Sequence, residues 1–359
     1  MDLPEPLAWL VDEACGSPGP DRFLAELGSR LLADGDGLPL AGGALTLAAP
    51  HPIIARRTWL WRAETGAVIE ALGFAGGPLD HTGRQWLSGL GPVQETTVGA
   101  GLDGSGPEHP VLGWAGTRTF DAVAVDRLHQ VARFAAAPLA ALAGRTALAA
   151  LLEAYLGRRS AAQVQAGALR RGTGETIRAA LLSADLRDFT ALSEATQPAA
   201  VIAALDAWFD RVAGAVHAFG GEVLKFIGDG VLAIFPVTAT PAEACTAALR
   251  AVAAARAGMA HLDAVRHAQG LPPLPFGAAL HLGEMLWGNI GAADRLDFTA
   301  IGPAVNLVSR LEGLCRPLGR SVLISGAVAA EISAPLVPLG QHMLRGIATP
   351  CPVFTLSDE

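Results

Sequence analysis

Between Glu222 and Phe235 two apolar runs, EVLKFI and VLAIF, are separated only by Gly228, Asp229 and Gly230. A link that short lets the chain do one thing: fold back on itself as an antiparallel hairpin. Patterns of other periods surround the hairpin. An apolar strand, IRAALLSADL, comes before it, with a helix predicted over Pro198 to Phe219; a helix over Pro241 to Gln269 and a strand, PFGAALHLGEM, come after it. A strand or turn at RLDFTAIG, a helix over Pro303 to Cys315 and a C-terminal strand pair complete this half. Strands alternating with helices about a central hairpin predict an α+β sheet covered by helices.

The chain has 359 residues, which predicts about two domains, each with its own core. Residues 1–137 mix helix and strand patterns with Gly/Pro-rich breaks such as GFAGGP and GAGLDGSGPEHP, and read as one α+β domain. A helix is predicted over Pro20 to Ala33, and strands at GGALTLA and at RRTWLWRAE, where alternation puts Trp59 and Trp61 on one face. Residues 138–172 read as a helical linker. From Asp121 onward Leu128, Val131, Phe134, Leu142, Leu148, Leu152 and Tyr155 recur at nearly helical steps, with Pro138 as a break or kink. Such a stripe can pack on its own domain or on a second copy of itself. Residues 173–359 form the last domain.

A net charge of -8 offers no basic field for a nucleic-acid backbone or an anionic membrane, so nucleic acid is not an expected partner. A polyanionic nucleotide is still acceptable where metal ions and a few placed cations offset its phosphates. Cys15, Cys245, Cys315 and Cys351 lie far apart with no CxxC pair and read as small buried apolar residues. The N-terminus is acidic where a secretory signal is basic. The apolar region Val131 to Leu156 is interrupted by Arg133, Pro138, Arg145 and Glu153, so a cytoplasmic chain without a membrane span is expected.

Asp185 closes one apolar strand and Asp229 lies in the hairpin turn, so pairing of the two strands would bring both carboxylates to one sheet edge. Two acidic groups held together suit a hard divalent cation that bridges phosphate oxygens. Read alone, Asp229-Gly230 is also a standard hairpin turn pair, and Asp185 a helix cap.

Four ordered motifs decide between these readings. SADLRDFTALSE, GGEVLKFIGDGVLAIF, HLGEMLWGNIGAADRLDFTAIGPAVNLVSRLEG and LRGIATPCPVF together resemble the class III adenylyl and guanylyl cyclase catalytic domain, from about residue 176 to the C-terminus. The resemblance implies a ferredoxin-like cyclase domain. It also implies two Mg²⁺ ions per site, replaceable by Mn²⁺, on Asp185, Asp229 and the backbone carbonyl of Leu186. One ion would lower the pKa of the ribose 3′-hydroxyl and the other would neutralise the leaving pyrophosphate. Arg187 to Thr190 are expected to begin a helix, whose N–H groups at Phe189 and Thr190 would bind phosphate.

Asn306 and Arg310, at i and i+4 of one helix, match the family's transition-state pair. Arg345 falls at its phosphate-binding cation. Lys225 and Thr299 fall at the base-reading positions, and a Lys–Thr pair resembles a bacterial adenylyl subclass that takes ATP. A guanylyl cyclase would carry Glu-like and Cys-like residues there, and a non-catalytic nucleotide-binding module would have lost an aspartate or the arginine. Asp188 departs from a frequent glycine and reads as a helix-start acid. Asp297 lies two positions too early to be the base-reading acid.

The family's sites are shared across a head-to-tail dimer, so the resemblance implies a homodimer. The first domain most resembles a GAF-like sensor, with a PAS-like one as the alternative, responding to a small-molecule or protein signal that the sequence does not name. His51, His81 and His109 are loop histidines rather than a haem set.

Overall fold

A computed structural model describes residues 3–34, 37–74, 81–99, 109–168 and 170–358. Most of GAGLDGSGPEHP and of GFAGGP lies outside them. The described chain divides into two units, Met1–Tyr155 and Leu156–Glu359. The division falls inside the helical stretch read as a linker.

The first unit starts with α1 (Glu5–Asp12) and α2 (Pro20–Ala33), each opened by proline in its first turn, where the missing N–H costs nothing. Strands β1 (Leu40–Ala48), β2 (Ile54–Arg62) and β3 (Val68–Phe74) follow, then α3 (Thr82–Ser88), β4 (Val93–Thr97) and β5 (Val111–Gly116). They form an antiparallel sheet in the order β3-β2-β1-β5-β4. Trp59 and Trp61 share a core face with Trp114, Phe23 and Leu27, as the alternation predicts. Leu60, between them, is buried on the other face with Leu87 of α3.

Two helices close this unit, α4 (Ala122–Phe134) and α5 (Ala136–Leu156). The break comes at Ala135, three residues before Pro138. Proline has no N–H for the carbonyl one turn back, so the preceding helix stops and Pro138 sits in the first turn of the next. Among the described residues α5 is the one helix long and apolar enough, by length and composition, to cross a membrane. Pro138, Leu139 and Leu142 are buried nonetheless, and the Arg145 guanidinium donates to the carbonyls of Cys15 and Ser17 at 3.0 and 2.9 Å. Cys15 is exposed, unlike the other three cysteines, because it sits on the 3₁₀ turn Ala14–Gly16 and not in a core element.

The second unit runs α6 (Arg158–Gln165), β6 (Gly174–Leu186), α7 (Phe189–Ala195), α8 (Pro198–Ala218), β7 (Glu222–Ile227), β8 (Gly230–Pro236), α9 (Pro241–Ala268), β9 (Phe276–Gly291), β10 (Leu296–Ile301), α10 (Pro303–Glu312), β11 (Val322–Ser325), α11 (Gly326–Ala329), β12 (Leu336–His342) and β13 (Cys351–Leu356). The sheet order is β12-β13-β11-β9-β6-β8-β7, with β10 paired to β9. All its pairings are antiparallel except β11 with β9, which gives the α+β class read from the sequence. Strand β11 has only four residues, VLIS, with no alternation to mark it in the sequence.

Strand β6 shows how the sheet is covered. Ala180, Leu182, Ala184 and Leu186 face α8 and α9, whereas Ala179 and Leu181 face α10. Asp185 continues the second set by the period-two rule, so its side chain is on the α10 face.

Candidate active site

The carboxylates of Asp185 and Asp229 meet because β6 and β8 are neighbours. Ala184 pairs with Val231, which places the start of β8 and the turn before it beside the end of β6. The turn is not built on Asp229-Gly230. Ile227 pairs with Gly230, so the two loop residues are Gly228 and Asp229, and Gly228 supplies the positive φ of 62°. Glycine first in a two-residue loop is the II′ pattern, which leaves Asp229 in ordinary backbone geometry with its side chain available for chemistry. Trp208 of α8, fully buried, donates its indole N–H to the Asp229 carbonyl at 2.8 Å.

Asp185 is held in an unusual state. Burial foremost, then the neighbouring Asp229 carboxyl, close enough to share a proton, and the charges of Asp229 and Glu312 push its pKa from 3.8 up to about 7, while the Leu186 backbone pulls the other way. Its Oδ1 is buried without a hydrogen-bond partner. An orphaned carboxylate oxygen beside a second carboxylate fits a hard cation, which would supply the missing charge and contact. Both acids are oxygen donors, as is the adjoining main-chain carbonyl of Leu186. Among the described residues no three His, Cys, Asp or Glu side chains gather as a ligand set, so the pair itself is the metal candidate.

Helix α7 starts at Phe189, two residues later than expected, because Asp188 adopts a left-handed φ of 58°, alone among the described non-glycine residues. That conformation is one that glycine adopts freely and Asp tolerates. Asp188 occupies the N-cap position but its side chain caps nothing; it pairs with Arg316 at 3.0 Å, with both groups well exposed. The first bond of this turn runs from Leu192 N–H to the Asp188 carbonyl, so the N–H groups of Phe189 and Thr190 precede it.

Lys225 reaches its place through a β-bulge. The register between β7 and β8 shifts between Val223 and Lys225, which puts Lys225 directly opposite Leu232. Leu232 belongs to the α10-side core, so Lys225 faces the same way as Asp185. Without the extra residue it would point to the other face. Its ammonium forms an ion pair with Asp297 of β10. Thr299 is two residues along that strand and therefore on the same face. Lys225 is thus held by an acid that sequence reasoning set aside. The pair is partly exposed, so it orients the lysine more than it stabilises the fold.

Asn306 and Arg310 project from α10, both exposed, and neither side chain has a hydrogen bond or ion pair among the described residues. Arg310 is paired with neither Glu194 nor Glu312. Arg345 lies in the exposed turn between β12 and β13, at the opposite edge of the sheet from β7. Glu312, one residue past the buried Leu311, is a further acid that the motif reading passed over. Of the first unit's histidines, His51 Nδ1 accepts from the N–H groups of Ile53 and Ile54, a local turn contact.

A family model for the adenylate and guanylate cyclase catalytic domain matches residues 174–341. Adenylate cyclase 1 of Rhizobium meliloti is 34% identical over 172 residues, covering 47% of this chain and 26% of the relative. The adenylate cyclase of Anabaena cylindrica is 32% identical over 168 residues, covering 46% of this chain and 32% of the relative. The chain therefore spans only about a quarter to a third of the length of these relatives. A bacterial light-regulated adenylyl cyclase structure aligns with 88% of this chain and 94% of its own at a TM-score of 0.54 and 18% identity, a likeness of fold. Residues 174–341 are thus the part of the chain that is similar to the adenylate and guanylate cyclase catalytic domain.

Proposed function

We propose that the protein is an adenylate cyclase that converts ATP to 3′,5′-cyclic AMP and pyrophosphate at sites shared across a homodimer, under the control of its N-terminal unit. The observation that carries this reading is the Asp185–Asp229 pair, with its buried unpartnered oxygen, on the same sheet face as Lys225. Asp185, Asp229 and the Leu186 carbonyl would hold two Mg²⁺ ions, or Mn²⁺. Bound there, such ions would supply Lewis acidity toward the ribose 3′-hydroxyl and positive charge toward the pyrophosphate. The side chains do the rest. Asn306 orients the ribose, and Arg310 stabilises charge building at the α-phosphorus with a planar, multidentate cation. Arg345 and the N–H groups of Phe189 and Thr190 bind the triphosphate.

ATP rather than GTP is the substrate we assign. Lys225 donates to adenine N1 and the Thr299 hydroxyl accepts from the exocyclic amine; guanine inverts both requirements. The freedom of Asn306 and Arg310 from partners among the described residues of their own chain supports a site completed by a second copy. We assign Met1–Tyr155, with helices before and after a five-stranded sheet, to a GAF-like sensor whose signal reaches the catalytic unit along α5 and α6. The purified chain incubated with ATP or GTP and Mg²⁺ or Mn²⁺ tests the reading. Cyclic AMP as the main product is expected. Cyclic GMP as the main product would make the protein a guanylate cyclase, and no cyclic product under any pairing would leave a nucleotide-binding module.

A further inference from the structure

Gly277 of β9 stands directly across from Asp185 of β6, and residues opposed in this way send their side chains to one face. A Cβ placed on Gly277 would come within 2.6 Å of Glu312 Oε1 and 3.1 Å of Cys315 Cβ. The Glu312 carboxylate therefore fills the space that a side chain at 277 would take, one strand away from Asp185 and on its face. Burial raises the Glu312 pKa, the Asp229 charge adds to this, and Arg187 opposes it. The Arg187 guanidinium is anchored in turn on the Arg320 carbonyl, and its backbone N–H on the Pro275 carbonyl at 2.7 Å. Glu312 belongs to no three-acid ligand set among the described residues, so it acts on Asp185 as a nearby charge and not as a ligand. Two residues before it on the same helix is Arg310.

We propose that Glu312 is a positioning residue for the metal pair: its carboxylate, laid over Gly277, strengthens cation binding by Asp185 and Asp229. This rests on the metal reading of the pair given above. A negative charge a few ångströms beyond the ligands attracts a dication through a partly screened medium. In the cation's absence the same charge repels the aspartates. Glu312 should therefore cost the metal-free protein stability while improving its hold on metal.

The test is Mn²⁺ binding to the full chain, followed by paramagnetic resonance of the free ion, beside thermal unfolding with and without Mn²⁺. Glu312→Gln should bind Mn²⁺ about three- to tenfold more weakly and unfold no earlier than wild type in chelator. Glu312→Asp should recover most of the affinity. Gly277→Ala, which displaces the carboxylate without touching its charge, should weaken binding as well. Equal Mn²⁺ affinity in Glu312→Gln and wild type would overturn the proposal, and so would weaker binding accompanied by an earlier metal-free unfolding, the mark of a merely structural role. Asp185→Asn is the control that separates the two readings. If it binds Mn²⁺ as wild type does, the metal pair itself fails and this inference with it.

Discussion

The fully buried indole of Trp208 donates its N–H to the main-chain carbonyl of Asp229 at 2.8 Å. One helix thus holds the turn that presents a candidate metal-binding carboxylate. The ring also packs against Phe276 of β9 at a centroid distance of 5.1 Å, so its position is fixed from two sides. Trp208→Phe keeps an aromatic ring in the core but leaves the Asp229 carbonyl unpaired, at a cost of about 1–3 kcal/mol. Turnover should fall together with the thermal midpoint, and the apparent affinity for Mg²⁺ should weaken. A variant with wild-type metal dependence would show that the turn keeps its shape without the bond.

The raised pKa of Asp185 makes a prediction of definite sign. Its folded value, about 7, lies above the ordinary 3.8, chiefly through burial and then through Asp229. Between those values the native protein holds more protons than the unfolded chain, so stability falls as pH rises. The contribution is full below about pH 4 and lost above about pH 7. In chelator the thermal midpoint should therefore drop between pH 5 and pH 8, and Asp185→Asn should flatten that drop. Added Mg²⁺ or Mn²⁺ should stabilise more at pH 8 than at pH 6, because the ion competes with the proton.

Asp188 gives a local test of backbone strain. Its φ of 58° costs a side-chain-bearing residue about 1–2 kcal/mol, less for Asp, which tolerates this region. Its ion pair with Arg316 is too exposed to offset much. Asp188→Gly should leave the thermal midpoint unchanged or higher, and Asp188→Val should lower it by about 1–2 kcal/mol of stability. Equal effects from both would mean that the turn relaxes out of the left-handed region.

Much of this site is legible in the sequence. The hairpin, the strand carrying Asp185 and the helix carrying Asn306 and Arg310 all follow from apolar periodicity and turn residues, and the structure places them within a few residues of expectation. What the sequence hides depends on register. Nothing in EVLKFI marks the bulge at Leu224, yet that one residue decides which face Lys225 takes. Asp297 lies two positions from the expected acid; it is Lys225's partner only because β10 folds back along β9. Glu312 acquires meaning from the bare glycine across the strand from Asp185, a contact between residues 35 positions apart.

Base selection is assigned to the polarity of Lys225 and Thr299. Lys225→Glu with Thr299→Cys replaces a donor by an acceptor and should cut ATP turnover strongly while raising relative use of GTP, since unmatched buried polar groups cost about 1–3 kcal/mol each. The carboxylate introduced at position 225 also faces Asp297, and that repulsion predicts a low absolute rate unless Asp297→Asn is added. Rates of cyclic AMP and cyclic GMP formation from the single, double and triple variants check this. An undiminished preference for ATP in the double variant would remove Lys225 and Thr299 as base readers.

The last prediction concerns sharing of sites between two copies. Asp229 and Arg310 lie on different elements, and Arg310 is exposed with no partner among the described residues of its own chain. If one copy supplies the aspartates and the other the helix of Arg310, each dimer holds two composite sites. Asp229→Ala and Arg310→Ala should each be inactive alone, because every site in either homodimer lacks one component. Mixed and allowed to exchange, about half of the dimers become heterodimers, in which one site carries both defects and the other carries neither. Activity should then return to about a quarter of the wild-type value per dimer. The measurement is cyclic AMP formation against mixing ratio, with exchange verified by differently tagged chains. A mixture that exchanges subunits and stays inactive would place both residues in a site within one chain.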